Sequence, residues 1–82
     1  MATEAEIEQR IKNILAEDFE CDPERLVPDV NLFTDLDLDS IDAIDLMVRL
    51  QQETGRKVDP ESFRHIRTLH DVTVAVVKLV NG

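Results

Sequence analysis

The stretch Asp35–Asp45, DLDLDSIDAID, places one serine among acidic residues where a loop turns into a helix with an apolar period. A helix start leaves backbone N–H groups unpaired and carries the positive end of the helix dipole, and both favour an attached phosphate. With Asp39 as the N-cap and Asp42 at the third helical position, the capping role is already filled. Ser40 then falls at the first helical residue with its hydroxyl free. The alternative is that Ser40 is only a capping residue.

Outward from this stretch, apolar spacing and capping patterns predict three longer helices and one short helix. The first covers about residues 3–18 and buries Ile7, Ile11, Ile14 and Leu15. The second covers about 40–54 and ends at Gly55, the short third lies near Pro60–His65 after the cap Asp59, and the last begins at Thr68 and ends at Asn81-Gly82. The many β-branched residues of the last segment would also suit a strand.

The connection between the first two helices and the second helix itself determine the expected packing. The connection over about 19–39 is long, and its apolar residues predict that it packs across the bundle: Leu26, Val27, Val30, Leu32, Phe33, Leu36 and Leu38. Asp22-Pro23-Glu24 within it favours one short helical turn. The second helix is apolar over more than half of its circumference, which predicts a central position for it.

Length and composition favour a small all-α bundle. The chain has 82 residues, and aromatic residues make up 4% of it, so the core must consist of aliphatic side chains. We expect one domain over residues 1–82, folded as a four-helix bundle with little room for an enclosed catalytic cleft.

The charge is strongly uneven along the chain. The formal net charge is −9, with 14 acids and 3 bases in residues 1–45 against 4 acids and 6 bases in residues 46–82. Nucleic acid is a poor partner for such a chain, whereas basic protein surfaces would be steered to the acid-rich side. The expected docking residues are Asp35, Asp37, Asp42, Asp45, Arg49 and Glu53. The alternative is that they form only a solvated face.

Several other chemistries are disfavoured. A single cysteine, Cys21, allows no internal disulfide, and no signal peptide or apolar span of membrane length is present, so the cytoplasm is the expected compartment. Asp35-x-Asp37-x-Asp39 matches the start of a calcium loop, but Ser40 and Leu46 stand where a glycine and a bidentate acid are needed. His65 and His70 have no partners at metal-ligand spacing, so we expect no metal site. Weak surface binding of divalent cations by Asp35, Asp37 and Asp39 is the alternative. No histidine-acid pair accompanies Ser40, so hydrolase chemistry is improbable.

The run Asp39-Ser40-Ile41, with the helix behind it and Leu32-Phe33-Thr34-Asp35-Leu36 before it, resembles the prosthetic-group site of acyl carrier proteins. The resemblance spans most of the chain. It implies that a phosphopantetheinyl transferase moves 4′-phosphopantetheine from coenzyme A onto Ser40, with Asp39 as the flanking motif residue. The thiol of this arm would hold acyl intermediates as thioesters. The protein would be a monomeric carrier without catalysis of its own, serving acyl-loading, condensing and tailoring enzymes with basic docking surfaces.

The resemblance leaves the pathway open. Carriers of fatty acid synthesis commonly show a Gly-Ala-like pair before the Asp-Ser and acids late in the second helix, whereas this chain has Leu38, Arg49, Gln51 and Gln52 at those places. A specialised lipid, polyene or polyketide pathway is therefore a second possibility, and a carrier of aminoacyl or aryl groups is a third. An acidic helical interaction module without a prosthetic group is the alternative from a different class.

An acyl cargo could enter the core between the second and fourth helices. The aliphatic core has few aromatic side chains to lock it, so a small opening would let an acyl chain slip inward. The expected lining residues are Ile44, Val48 and Val76.

Overall fold

The structure is a computed structural model that describes residues 3–81, and for Ser62 only the backbone. The described residues form four α-helices: α1 over Glu4–Asp18, α2 over Ser40–Thr54, α3 over Pro60–Phe63 and α4 over Leu69–Asn81. A 3₁₀ turn over Pro23–Arg25 lies in the connection between α1 and α2. The predicted all-α bundle with three longer helices and one short one is confirmed.

Local hydrogen bonds set the helix ends close to the predicted positions. The Thr3 hydroxyl accepts from Glu6 N at 3.2 Å at the start of α1. Gly55 ends α2 with a left-handed φ of 68°, which glycine adopts without steric cost. Asp22 caps the predicted turn in the connection by accepting from Glu24 N at 3.0 Å. The short helix was predicted to reach His65, but it ends at Phe63.

The last segment is an α-helix, α4, and not the strand that its β-branched residues would also suit. Thr68 and Asp71 cap it reciprocally: the Thr68 hydroxyl accepts from Asp71 N at 3.2 Å, and Asp71 Oδ2 accepts from Thr68 N at 3.0 Å. Leu69, Val72 and Val76 are buried, and the buried Thr73 hydroxyl donates to the Leu69 carbonyl at 3.0 Å. Burial of this apolar stripe outweighs the modest helix propensity of its β-branched residues.

The core lies mainly between α1 and α4, with α2 on one side. α1 packs against both α4 and α2, and α3 packs against α4. The four predicted α1 residues are all buried, as are Leu26, Val30 and Leu32 of the long connection. That connection is anchored to the start of α4, because Leu32 N donates to the Arg67 carbonyl at 2.8 Å and Leu69 N donates to the Val30 carbonyl at 3.1 Å. Val27 departs from the expectation and is half exposed.

The predicted central position of α2 is wrong. Only Leu46 and Leu50 of this helix are buried, whereas Ile41, Ile44 and Val48 are 67%, 56% and 42% exposed. At about 100° per residue the two sets lie on roughly opposite sides of the helix, so one neighbouring layer can cover only one of them. α1 packs on α2, and the side bearing Ile41, Ile44 and Val48 is left to solvent.

Candidate functional site

Ser40 is the first residue of α2, and its side chain is free. Asp39 is the N-cap: its Oδ1 accepts from Asp42 N at 2.9 Å, and Asp42 Oδ2 accepts from Asp39 N at 3.2 Å. This capping box is the arrangement predicted for Asp39 and Asp42. Ser40 is exposed, and its hydroxyl makes no hydrogen bond to any backbone or side-chain group that the structure describes.

The surroundings of the Ser40 hydroxyl suit a phosphodiester. The capping box pairs the N–H groups of Asp39 and Asp42, so the N–H groups of Ser40 and Ile41 remain for solvent or an anion. These groups and the dipole of a 15-residue helix favour negative charge at its start. A phosphate ester on this oxygen would displace no protein contact. The residues present therefore fit a covalent phosphopantetheine group.

The predicted docking acids of the loop divide into structural and free carboxylates. Asp35 Oδ2 accepts from Asn31 N at 2.9 Å, and the Asp35 carbonyl accepts from the Arg25 guanidinium, so this residue braces the loop before α2. Asp42 is half-buried in the capping box. Asp37, with a left-handed φ of 57°, and Asp45 are exposed, and neither carboxylate is paired within the described part of the chain.

Arg49 and Glu53, also predicted for docking, join α2 to α1. Arg49 Nε lies 3.2 Å from Asp18 Oδ2, an ion pair outside hydrogen-bond geometry, and Arg49 Nη2 lies 3.2 Å from Glu53 Oε1. Arg10 lies 3.9 Å from Glu53 on its other side. Arg49 and Glu53 are only four residues apart on α2. The sequence could not show their links to α1, because Asp18 and Arg10 lie more than 30 residues before them along the chain. The free acids near Ser40 are thus Asp37 and Asp45 rather than the whole set.

An exposed apolar face on α2, made of Ile41, Ile44 and Val48, was missed as a surface feature. It begins one residue after Ser40 and runs beside Asp45. Sequence periodicity assigned these residues to the core because they are large and apolar. No sequence signal separates this side of the helix from the Leu46–Leu50 side, because both sides are apolar and each has the spacing of one helical face.

An open groove of about 830 Å³ lies beside Ser40. Its walls come from α2, α3, the loop near Asn31 and the segment between α3 and α4. Apolar side chains dominate it: Phe33, Ala43, Ile44, Met47, Pro60 and Phe63. Arg64, Arg67 and Glu61 bring charge to it. No sequence pattern indicated this groove, because it forms only when four separated segments meet.

The structure does not bring the three predicted lining residues together. Ile44 lines the groove beside Ser40, and exposed Val48 lies with Asp18 and Phe19 at another hollow. Val76 is buried and lines a smaller cavity of about 240 Å³ between α1, α2 and α4. A single internal cavity lined by all three is therefore not present in this state of the chain, because α2 turns its Ile44–Val48 side outward.

Cys21, Asp71 and His70 are titratable groups whose burial or contacts belong to the fold and not to the groove beside Ser40. Partial burial raises the pKa of the Cys21 thiol, with smaller and opposing effects of Arg25 and Asp42. Backbone N–H groups of Thr68 and Arg67 lower the pKa of Asp71. His70 Nδ1 lies 3.5 Å from Glu4 Oε1 and joins the starts of α1 and α4. Among residues 3–81, no three His, Cys, Asp or Glu side chains are grouped to hold a metal ion, and none of the helices there has the length and apolarity to cross a membrane.

The chain is similar to known proteins both in sequence and in fold. A family model described as "Phosphopantetheine attachment site" matches residues 9–76. The chain is 51% identical to "Acyl carrier protein 2" of Ralstonia nicotianae over 78 residues, which cover 95% of this chain and 96% of that protein. It is 33% identical to an acyl carrier protein of Thermosynechococcus vestitus, covering 84% of this chain and 85% of that one. The crystal structure of an acyl carrier protein from Thermotoga maritima superimposes with a TM-score of 0.82 at 26% identity, covering 95% of this chain and 91% of that one.

Proposed function

This chain belongs to the acyl carrier protein family, and we propose that Ser40 is the residue that carries its phosphopantetheine group. The observation that supports this assignment is the free hydroxyl at the first residue of α2, made available because Asp39 and Asp42 complete the cap without it. When bound, the group supplies a thiol that holds acyl groups as thioesters. We propose one carrier domain over residues 1–82.

The residues around Ser40 support a carrier without catalysis of its own. Activation of a serine nucleophile requires an adjacent base, and no side chain in the described residues accepts a hydrogen bond from Ser40. The hydroxyl is instead open to a partner enzyme. A phosphopantetheinyl transferase would activate it and transfer the group from coenzyme A.

Docking of partners would combine charge with apolar contact. Asp37 and Asp45 offer free carboxylates near Ser40, and the Ile41–Ile44–Val48 face offers an apolar surface on the same helix. Partners with a basic rim around an apolar patch would match this surface, with charge guiding the encounter and apolar burial holding the complex. We propose acyl-loading, condensing and tailoring enzymes of this kind, in the cytoplasm, which the lone cysteine favours.

The test uses the two serines of the chain, Ser40 and Ser62. Wild type, Ser40→Ala and the matched control Ser62→Ala are each incubated with coenzyme A and a broad-specificity phosphopantetheinyl transferase, and their intact masses are measured. We expect wild type and Ser62→Ala to gain one phosphopantetheine and Ser40→Ala to gain none. The assignment would be contradicted if Ser40→Ala gained a phosphopantetheine, or if wild type gained none while its helical spectrum was native. The second of these results would favour the interaction module without a prosthetic group.

For the pathway and the cargo we propose two candidates and one alternative. Fatty acid synthesis and a specialised lipid, polyene or polyketide pathway both fit the family, and an aminoacyl or aryl carrier is the alternative. Because Ser40 lines the 830 Å³ groove, an attached acyl chain can reach apolar surface there without opening the core. Each buried methylene contributes up to about 0.8 kcal/mol. We expect Tm to rise from the unacylated form through short to medium chains and then to level off, and a flat series would show that the cargo stays in solvent.

A further inference from the structure

The groove beside Ser40 has one cationic side chain that is held in place. Arg67 Nη1 donates to the Ile66 carbonyl at 2.8 Å and to the Arg64 carbonyl at 3.2 Å. Its guanidinium carbon lies 5.9 Å from the centroid of the Phe33 ring, and both residues line the groove. The backbone and the ring together restrain a side chain that would otherwise be mobile on the surface.

Arg67 keeps hydrogen-bonding capacity for a ligand. A guanidinium has five N–H donors, of which two are on Nη1. The remaining three, on Nε and Nη2, have no acceptor among the groups that the structure describes. They belong to a planar, permanently charged group that matches carboxylate and carbonyl oxygens well.

Among the described residues, Arg67 is the groove cation that has no acidic side chain as a partner. Arg64 Nη1 lies 3.1 Å from Glu61 Oε1, and both side chains are mostly exposed, so these two charges largely offset each other. The acids beside Ser40 that have no partner, Asp37 and Asp45, do not line the groove. In a chain with a net charge of −9 this groove is therefore a local positive site on an apolar floor.

We propose that this groove receives acyl groups that carry an oxygen substituent on the chain beyond the thioester, a ketone or a carboxylate, and that Arg67 binds this oxygen. The proposal rests on the proposed function, since the cargo must be tethered at Ser40. The apolar floor formed by Phe33, Met47 and Phe63 contacts the methylenes, and the free donors of Arg67 pair with the oxygen. A fully saturated chain would bury the same methylenes but would leave those donors unpaired.

The test compares cargoes on one protein. The chain is loaded enzymatically with hydrolysis-resistant pantetheine analogues that bear octanoyl, 3-oxooctanoyl or 7-carboxyheptanoyl groups, and loading is verified by intact mass. Tm is then measured for wild type, Arg67→Gln and the matched control Arg56→Gln. Arg56 is an exposed arginine that follows the end of α2 and does not line the groove.

We expect at least one oxygen-bearing cargo to raise the Tm of wild type and Arg56→Gln about 4 °C or more above the octanoyl form. In Arg67→Gln this difference should largely vanish. Each comparison is made between cargoes within one variant, so a loss of stability from the substitution itself cancels. Arg67→Lys keeps the charge without the planar fork and should retain only part of the difference.

A spectroscopic measurement supports the same test if Arg67→Gln folds poorly. The Nε–H resonance of Arg67 in wild type should shift when the octanoyl group is replaced by the oxygen-bearing cargo, and the Nε–H resonance of Arg56 should not. A gain with the carboxylate alone, or with the ketone alone, supports the proposal for that oxygen class.

The failures of the two proposals are distinguishable. A wild type that takes no analogue by mass overturns the proposed function and this inference with it. A loaded wild type with equal Tm values for all three cargoes overturns the inference and leaves the carrier function standing. A difference that persists in Arg67→Gln also overturns it, because another group would then bind the oxygen.

Discussion

Asp39 and Asp42 exchange hydrogen bonds across the first turn of α2, with Asp39 Oδ1 accepting from Asp42 N at 2.9 Å and Asp42 Oδ2 accepting from Asp39 N at 3.2 Å. This exchange fixes where the helix begins. Because Asp39 supplies the cap, the hydroxyl of the adjacent Ser40 has no hydrogen-bond partner among the described groups.

Loss of the cap should destabilise the chain. Asp39→Ala removes the acceptor for Asp42 N, and we expect the free energy of unfolding to fall by about 0.5–2 kcal/mol. Asp39→Asn keeps a good capping acceptor and should restore most of that stability. Urea denaturation measures both, with Asp45→Ala as the control in the same helix, expected within about 0.5 kcal/mol of wild type. Equal stability of Asp39→Ala and wild type would contradict the structural role given to the cap.

Charge near Ser40 should control the rate of modification. Asp45→Lys and Glu6→Lys both change the net charge from −9 to −7. Glu6, however, borders a hollow with Glu53 and Thr54 at the far end of α2. We expect Asp45→Lys to slow phosphopantetheine transfer and Glu6→Lys to leave it nearly unchanged. Added salt should slow wild type more than Asp45→Lys, since it screens the attraction that the variant has lost. Equal slowing by both variants would indicate an effect of net charge instead of a docking site.

Truncation on one apolar side of α2 should lower stability, whereas truncation on the other side should slow phosphopantetheine transfer. Leu46→Ala leaves a cavity in the core, and the expected loss of stability is about 2–5 kcal/mol. Ile41→Ala removes an exposed side chain and should change stability by less than about 0.5 kcal/mol while slowing transfer by the partner enzyme. Chemical denaturation and transfer kinetics on both variants test this. A strongly destabilised Ile41→Ala would mean that this side of α2 is covered.

Acid should weaken the start of α4. The pKa of Asp71 is lowered by the N–H groups of Thr68 and Arg67, so the folded chain holds the proton less tightly than the unfolded chain. The stabilisation by this carboxylate is therefore full above the pKa of an unfolded aspartate, about 3.9, and is lost as the pH falls through the lower folded value.

The comparison of wild type with Asp71→Ala isolates this contribution from the other acids. Their difference in unfolding free energy, measured in urea at neutral pH and at successively lower pH, should be constant down to about pH 5 and then shrink. A difference that grows in acid would have the wrong sign for this mechanism.

Much of the site was predictable because it is local. The positions of Thr3, Asp39 and Thr68 as caps, and the termination of α2 at Gly55, depend on contacts within one helical turn. Such contacts form between residues three or four apart, so the sequence carries them directly. The free hydroxyl of Ser40 follows from the same local geometry.

The all-α class, the caps of the three longer helices and the free hydroxyl of Ser40 all follow from the amino-acid sequence, whereas the end of the short helix at Phe63 does not. The tertiary structure alone decided which side of α2 is buried, that Arg49 pairs with Asp18, and that Phe33, Met47 and Arg67 meet in a groove beside Ser40. The physical reason is that α2 is apolar on both sides. Periodicity shows that a residue is apolar, but only the positions of α1, α4 and the long connection determine which apolar residues lose their water.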